Sequence, residues 1–301
     1  MLNILSAAAL PAAQSLAQTA PSVADAVTVL QVQRRSIEVK GKPAWILAVR
    51  QPDGTPGLVT AVGRQFRVRL DNKLDVPTLI HWHGLTPPWQ QDGVPGISGP
   101  PVPPGGSADY DFPLRFGGTF WMHSHQGLQE QELLAAPLII HDERDHPNQQ
   151  EVVVMLADFS FTPPETIFEN LRKGAQYGRN AGTGRRQTVA MGAMAMPVAA
   201  KMAPGSMSGA ASGPDLNDVK YDAFLANDRT LADPEAISVE PGASILLRVI
   251  NSSSMSAYHL DLGRLNGELI AVDGFRIQPM AGRRFPIAVA QTSRHPYRAA
   301  A

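Results

Sequence analysis

The sequence predicts an all-β fold in two domains, on the basis of its turn residues, its apolar alternation and its length. The chain has 26 glycines and 26 prolines among 301 residues, so turns are frequent and short strands are favoured over long helices. Segments such as 65–70 alternate apolar and polar residues and place Phe66, Val68 and Leu70 on one face. Domains usually contain about 100–150 residues, so the length suits two. The strand spacing favours Greek-key sandwiches or barrels.

The order of the segments predicts where the domains begin and end. Residues 1–23 form a leader with a short apolar run, similar to the core of a signal peptide and too short to cross a membrane. The β-like segments of residues 24–145 predict the first domain, and a polar stretch separates it from a second domain at residues 146–290. Residues 172–213 have no period of 2 or 3.6 and predict an irregular insertion. Residues 291–301 lose the alternation and are expected to form an atypical tail.

Charge and cysteine content exclude several classes of function. The net charge is -1, from 26 basic and 27 acidic residues, so the chain has no positive surplus to hold nucleic acid or an acidic membrane surface. The sequence contains no cysteine, which excludes disulfides, thiolate catalysis, iron–sulfur clusters and thiolate-bound copper. Any metal ligand must therefore be histidine, methionine, a carboxylate or the backbone.

Two His-X-His pairs are the sharpest chemical signal in the sequence. His81 and His83 form the first pair, and His123 and His125 form the second about forty residues later. On a strand, residues two apart share one face and lie roughly 6.5–7 Å apart. Two pairs on neighbouring strands would direct four imidazoles at one point, and a cluster of this kind suits copper or zinc. Trp82 points to the opposite face and is expected to pack in the core.

Five segments carry a resemblance to a known family. Their sequences are TLIHWHG at 78–84, DGVPGI at 92–97, VPPG at 102–105, GTFWMHSH at 118–125 and APLII at 136–140. In order and spacing they resemble the first cupredoxin domain of the multicopper oxidases, which include laccases and bacterial periplasmic copper-resistance oxidases. The second unit resembles the middle domain of that family more weakly. The resemblance implies two cupredoxin-like Greek-key β-sandwich domains in tandem, in a periplasmic or secreted protein.

The resemblance also implies roles for individual residues in a trinuclear copper centre that reduces oxygen to water. His81 would hold the single type 2 copper, and His83, His123 and His125 would hold the type 3 pair. Asp92 aligns with an acid near the type 2 copper that orients a bound water and helps to deliver protons. Ordinary Asp-Gly turn chemistry is the alternative explanation of Asp92.

The absence of cysteine separates this chain from a complete enzyme of the family. Complete enzymes oxidise their substrate at a type 1 copper, which a third domain holds with Cys, two His and often Met. This chain is therefore expected to carry half of the trinuclear site and no type 1 site, and to be inactive alone unless another chain supplies the missing domain. The remaining histidines lack ligand spacing and are expected to be surface or core residues: His141, His146, His259 and His295.

The expected insertion contains five methionines: Met191, Met194, Met196, Met202 and Met207. Thioethers are soft ligands that prefer Cu(I), so these residues are either copper ligands or incidental members of a low-complexity loop.

Several functions stay open at this point. The main hypothesis is a laccase-like multicopper oxidase that oxidises phenols or metal ions such as Cu(I), with O2 and a small reducing substrate as its partners. A non-catalytic protein that sequesters copper is the alternative, and an empty cupredoxin scaffold is a third. A mononuclear zinc hydrolase is the weakest, because zinc catalysis needs a nearby general base and only Asp92 is available.

Overall fold

The computed structural model describes residues 26–145, 149–181 and 219–298, with the backbone alone for residues 174–181. Within these ranges the chain is mostly β-strand, and one α-helix, α1, spans Pro164–Ala181. The all-β prediction is confirmed. The leader at residues 1–23, His146 and the five methionines of the expected insertion lie outside the described residues.

The first domain is a sandwich of two four-stranded sheets. One sheet has the order β2-β1-β4-β6. Its strands are β1 (Thr28–Val39), β2 (Lys42–Arg50), β4 (Gln65–Asn72) and β6 (Ser107–Pro113). The other sheet has the order β3-β8-β7-β5. Its strands are β3 (Leu58–Ala61), β5 (Ile80–His83), β7 (Gly118–Ser124) and β8 (Ala135–His141). From β2 to β7, strands that follow each other in sequence alternate between the two sheets.

The core of this domain lies between the sheets and fixes which way β5 faces. Phe66 packs edge-on against Trp82 with ring centroids 4.7 Å apart, and it stacks on Phe112 at 4.6 Å. Trp82 is fully buried in this core, and its indole N–H donates to the carbonyl oxygen of Gln91 at 2.9 Å. The prediction that Trp82 packs in the core is confirmed. Because side chains alternate along a strand, its neighbours His81 and His83 face away from the core.

The second domain is built on a six-stranded sheet of order β10-β9-β11-β16-β13-β14. Its strands are β9 (Gln150–Phe159), β10 (Ala223–Ala226), β11 (Ser244–Asn251), β13 (Gly267–Val272), β14 (Phe275–Gly282) and β16 (Thr292–Arg298). A two-stranded sheet pairs β12 (Tyr258–Asp261) with β15 (Arg284–Ile287). Apolar residues of β11, including Ile245 and Val249, pack with Ile287 of β15 in the core of this domain.

The end of the chain differs from the atypical tail expected at residues 291–301. Residues 292–298 form β16, which pairs with β11 on one side and β13 on the other. The strand lies inside the sheet, and its polar residues Arg294 and His295 are buried. Apolar alternation does not mark this strand, because it buries polar residues and the ion-pair partner of Arg294 is Asp145, which is distant in sequence.

The expected insertion at residues 172–213 also differs at its start, because α1 continues to Ala181. Pro164, Ile167 and Leu171 are the half-buried positions of this helix, between exposed neighbours. Their spacing of three and four residues is that of an amphipathic helix with a narrow buried stripe.

Two features join the domains. An apolar cluster combines residues of β1 and β2 with residues of β9 and β10: Ile37, Val39, Ile46, Phe159, Ala223 and Leu225. Near β14, Gly274 has φ +82°, and a Cβ at this position would lie 2.1 Å from the ring of Phe120 in β7. Glycine is therefore required where the turn of one domain contacts the core strand of the other.

None of the helical residues in the described ranges forms a segment long and apolar enough to cross a membrane.

Candidate metal centre

Strands β5 and β7 bring the two His-X-His pairs together. The strands are antiparallel, with His81 directly opposite His123 and His83 opposite Trp121. His125 follows the end of β7, and its backbone N–H continues the pairing by donating to the carbonyl oxygen of Leu79 at 3.0 Å. The histidine side chains of both strands consequently project from the same face of the sheet.

The structure places all four predicted metal ligands in mutual contact. The rings of His81 and His125 stack with centroids 4.5 Å apart, and His123 lies 4.9 Å from His125. His81 lies 5.5 Å from His123, and His83 lies 5.4 Å from His123. We call these four residues the histidine cluster.

The nitrogen positions in the cluster suit a metal ion. Nδ1 of His83 faces Nε2 of His123 at 3.3 Å. Metal–nitrogen bonds of about 2.0–2.1 Å in tetrahedral geometry place two ligand nitrogens roughly 3.3–3.4 Å apart. One ligand nitrogen from each of His81, His83 and His123 lies within 4.8 Å of the others. Imidazoles without thiolate suit copper or zinc, so the residues present fit a copper ion shared by His83 and His123.

Burial favours the neutral form of two imidazoles of the cluster. Burial lowers the pKa of His83 to about 4, with smaller contributions from the neighbouring His123 and His81. Burial also lowers the pKa of His125, and His81 and His123 act in the same direction. Histidine must be deprotonated to bind a metal, so the cluster is ready to bind at neutral pH without losing protons from these two rings.

Asp92 holds His81 through its backbone carbonyl, and its carboxylate lies beside the same ring. Its carbonyl oxygen lies 2.7 Å from Nδ1 of His81, and its Oδ1 lies 3.3 Å from the same nitrogen. A carbonyl oxygen can only accept, so Nδ1 carries the proton and Nε2 keeps its lone pair for a metal. Gly93 has φ +71°, and a Cβ there would lie 1.9 Å from the carbonyl oxygen of Ile80. Glycine is therefore needed at position 93, and the Asp-Gly turn brings Asp92 close to His81.

Two residues of the site had no signal in the sequence. Glu130, in the loop between β7 and β8, places Oε2 3.1 Å from Nδ1 of His123. Trp121 is fully buried and stacks on His123 at 4.2 Å and on His83 at 4.9 Å. Its indole N–H donates to the carbonyl oxygen of Ala290 in the second domain, at 3.3 Å. Both contacts depend on tertiary structure rather than on spacing along the chain.

The other described histidines lie outside the cluster. His141 pairs with Glu151 at 2.9 Å, His259 is exposed, and His295 is buried with its Nε2 2.9 Å from Oγ of Ser293. Within the described ranges, His81, His83 and His123 are the one group of three or more potential ligands with this proximity, and His125 is not a member of that group.

The first domain matches a known family. The family model described as multicopper oxidase covers residues 31–145, which include the whole histidine cluster and Asp92. These residues are a multicopper oxidase domain. The relatives and solved structures similar to the chain include many multicopper oxidases and laccases.

Curated relatives of this chain include copper resistance proteins and laccases. Copper resistance protein A homolog of Pseudomonas syringae pv. tomato is 30% identical over 275 residues, which cover 87% of this chain and 46% of the relative. Copper resistance protein A of Escherichia coli is 32% identical, with 79% and 41% covered. Laccase-2 of Thanatephorus cucumeris is 29% identical, with 78% and 37% covered. The chain thus spans less than half the length of each of these relatives.

Solved multicopper oxidases share the fold. The crystal structure of a multi-copper oxidase from Pseudomonas thermotolerans aligns with a TM-score of 0.67 and 24% identity, covering 92% of this chain and 58% of that one. The laccase from Botrytis aclada aligns with a TM-score of 0.69 and 22% identity, covering 92% and 47%. At these identities the likeness concerns the fold.

Proposed function

We propose that the histidine cluster is half of the trinuclear copper site of a laccase-like oxidase. Such an enzyme oxidises phenols or metal ions such as Cu(I) and reduces O2 to water. The observation that supports this function best is the 3.3 Å approach of Nδ1 of His83 to Nε2 of His123, inside a multicopper oxidase domain. Two ring nitrogens at that separation match the span of two ligands on one metal ion.

The proposal assigns each residue of the cluster a role. His81 holds the type 2 copper through Nε2, and His83, His123 and His125 hold the type 3 pair. When bound, copper supplies the one-electron chemistry that O2 reduction requires. Asp92 orients His81 through its carbonyl oxygen, and its half-buried carboxylate is placed to orient a water beside that ring.

Oxidation of a substrate needs more than these residues. The sequence has no cysteine, so the type 1 copper of the family has to come from polypeptide outside the 301 residues. We therefore propose O2, a small reducing substrate and a chain segment with the missing ligands as partners. We place the protein in the periplasm or outside the cell, in keeping with its leader-like residues 1–23.

A non-catalytic copper-binding role is the second candidate. The same neutral imidazoles bind copper without any electron entry site, and two of the relatives are copper resistance proteins by name. In this role the chain would sequester copper and would not consume oxygen.

Copper content and oxygen uptake of the purified chain test the proposal. We expect copper to bind and to be lost in the double variant His83→Ala/His123→Ala, while His259→Ala retains it because His259 lies outside the cluster. Oxygen uptake with a phenolic substrate, measured with and without a segment that carries a type 1 site, separates the two candidates. Equal copper content in all three proteins would contradict both.

A further inference from the structure

Glu130 contacts the histidine cluster through His123. Its Oε2 lies 3.1 Å from Nδ1 of His123, and its side chain is 25% exposed, whereas that of His123 is 7% exposed. Nδ1 of His123 is buried and makes no hydrogen bond in the structure, so the carboxylate of Glu130 is its charged neighbour.

Buried hydrogen bonds hold the loop that carries Glu130. Oε1 of the neighbouring Gln129 accepts from the hydroxyl of Thr78 and from that of Ser124, both at 2.8 Å. The amide of Gln129 donates to the carbonyl oxygen of Pro77 at 2.9 Å. Gln129 is itself buried, so the backbone at residue 130 is fixed relative to both histidine-bearing strands. The approach of Glu130 to His123 is thus a property of the fold.

The carboxylate selects one tautomer of His123. If Nδ1 had no proton, its lone pair would face the negative oxygen at 3.1 Å, which is electrostatically unfavourable. A proton on Nδ1 turns the contact into a charge-assisted interaction and leaves the lone pair on Nε2. Nε2 is the atom that faces Nδ1 of His83. Glu130 thereby directs the lone pair of His123 to the point where His83 also directs a nitrogen.

We propose that Glu130 is a positioning residue that presets the tautomer and orientation of His123 for metal binding. This inference rests on the proposed function as far as copper is concerned. Two histidines of the cluster then have an acidic residue beside Nδ1: Asp92 at His81 and Glu130 at His123. Carboxylate–histidine–metal arrangements of this kind typically contribute about 10–100-fold to metal affinity.

The first test uses the metal-free full-length chain, so it does not depend on copper binding. Nitrogen-15 NMR of the histidine rings at a pH where they are neutral reports which nitrogen carries the proton. We expect Nδ1–H for His123 in the wild type and in Glu130→Gln, whose amide oxygen still accepts, and a mixed population in Glu130→Ala. A His123 ring protonated on Nε2 in the wild type, or an unchanged ring in Glu130→Ala, would overturn the inference.

The second test measures Cu(II) affinity by competition with a chelator. We expect Glu130→Ala to bind roughly 10–100-fold more weakly, and Glu130→Gln to fall between it and the wild type. Glu132→Gln is the matched control, because Glu132 lies on the same loop and turns towards Arg34 at 4.0 Å. Equal weakening in Glu132→Gln would assign the effect to loop charge and overturn the inference. A wild type without copper affinity would instead contradict the proposed function, and the NMR result would still decide the role of Glu130.

Discussion

The two ends of strand β7 carry buried polar clusters of opposite character. At the start of the strand, Thr119 contacts a group of buried and partly buried charges that we call the arginine cluster: Arg248, Arg294, Asp145 and Glu151. Arg248 is fully buried and donates to Thr119 Oγ1 at 3.1 Å and to Glu151 at 2.5 Å, and Arg294 donates to Asp145. At the other end, His123 joins the histidine cluster. The strand thus connects a set of paired charges with a set of neutral rings.

The difference lies in charge compensation. Each guanidinium of the arginine cluster has a carboxylate partner, and Asp145 keeps a pKa below its usual value because nearby Arg294 and Arg248 outweigh the effect of burial. In the histidine cluster, two ring nitrogens, Nδ1 of His83 and Nε2 of His123, approach each other to 3.3 Å. Removing one partner of a compensated cluster leaves a buried charge unpaired, whereas converging ring nitrogens are suited to bind an ion. We therefore expect the two ends of β7 to respond to different perturbations.

The largest expected effect comes from removing the charge of Asp145. We expect Asp145→Asn to lower the free energy of unfolding by about 3–5 kcal/mol, because two buried guanidiniums lose their shared anion. Denaturant unfolding measures this loss. Asp109→Asn is the control, because Asp109 pairs with Arg69 on the exposed face of β6 and water already screens that pair. Copper affinity per folded molecule should not change. Similar losses in the two variants would show that Asp145 contributes no more to stability than the carboxylate of an exposed ion pair.

The sequence predicts the features that depend on a local period, and it does not predict those that depend on residues distant in sequence. Alternation along a strand was enough to place Trp82 in the core and to direct His81 and His83 to one face. No local pattern could reveal Glu130, whose position depends on the contacts of Gln129 with Thr78 and Ser124.

The arginine cluster was hidden from the sequence for the same reason. Arg248 and Arg294 have the appearance of surface residues, and β16 was interpreted as a tail, because the partner that neutralises them, Asp145, lies more than 100 residues away. A polar strand at the centre of a sheet has no signature of its own until its long-range partners are known.

A pH titration sharpens the comparison, because His295 has the same low pKa as His83 but no neighbouring ligands. Burial lowers the pKa of His295 to about 4, and its ring packs against Phe285 with centroids 4.6 Å apart. The unfolded chain binds a proton at this residue below about pH 6.5, whereas the folded chain does so near pH 4. The contribution of His295 to the unfolding free energy is therefore fully present above pH 6.5. It falls by up to about 1.4 kcal/mol per pH unit between pH 6.5 and 4.

The variant His295→Gln isolates this contribution. We expect its unfolding free energy, measured in denaturant at several pH values, to decline less steeply than that of the wild type between pH 6.5 and 4. The difference in slope corresponds to about one bound proton. His83 continues to contribute in both proteins when copper is absent. An unchanged slope would show that His295 is not the buried neutral ring that the structure describes. Both proteins should bind copper equally, because a histidine with a low pKa but without neighbouring ligands does not form a metal site.

The smallest effect is expected from Thr119→Val, which changes one end of β7 and leaves its backbone intact. Valine has nearly the same shape but no oxygen, so Arg248 loses a neutral hydrogen-bond acceptor and keeps its carboxylates. We expect a loss of about 1 kcal/mol in unfolding free energy, with Thr292→Val as the control. The hydroxyl of Thr292 donates to the backbone oxygen of Thr119 at 2.8 Å, so that variant removes a bond at the same place without touching the arginine. If the ends of β7 are independent, Cu(II) affinity is the same in both variants. A weaker affinity in Thr119→Val alone would show that the arginine cluster sets the position of His123 through the strand, and the two clusters would then form one unit.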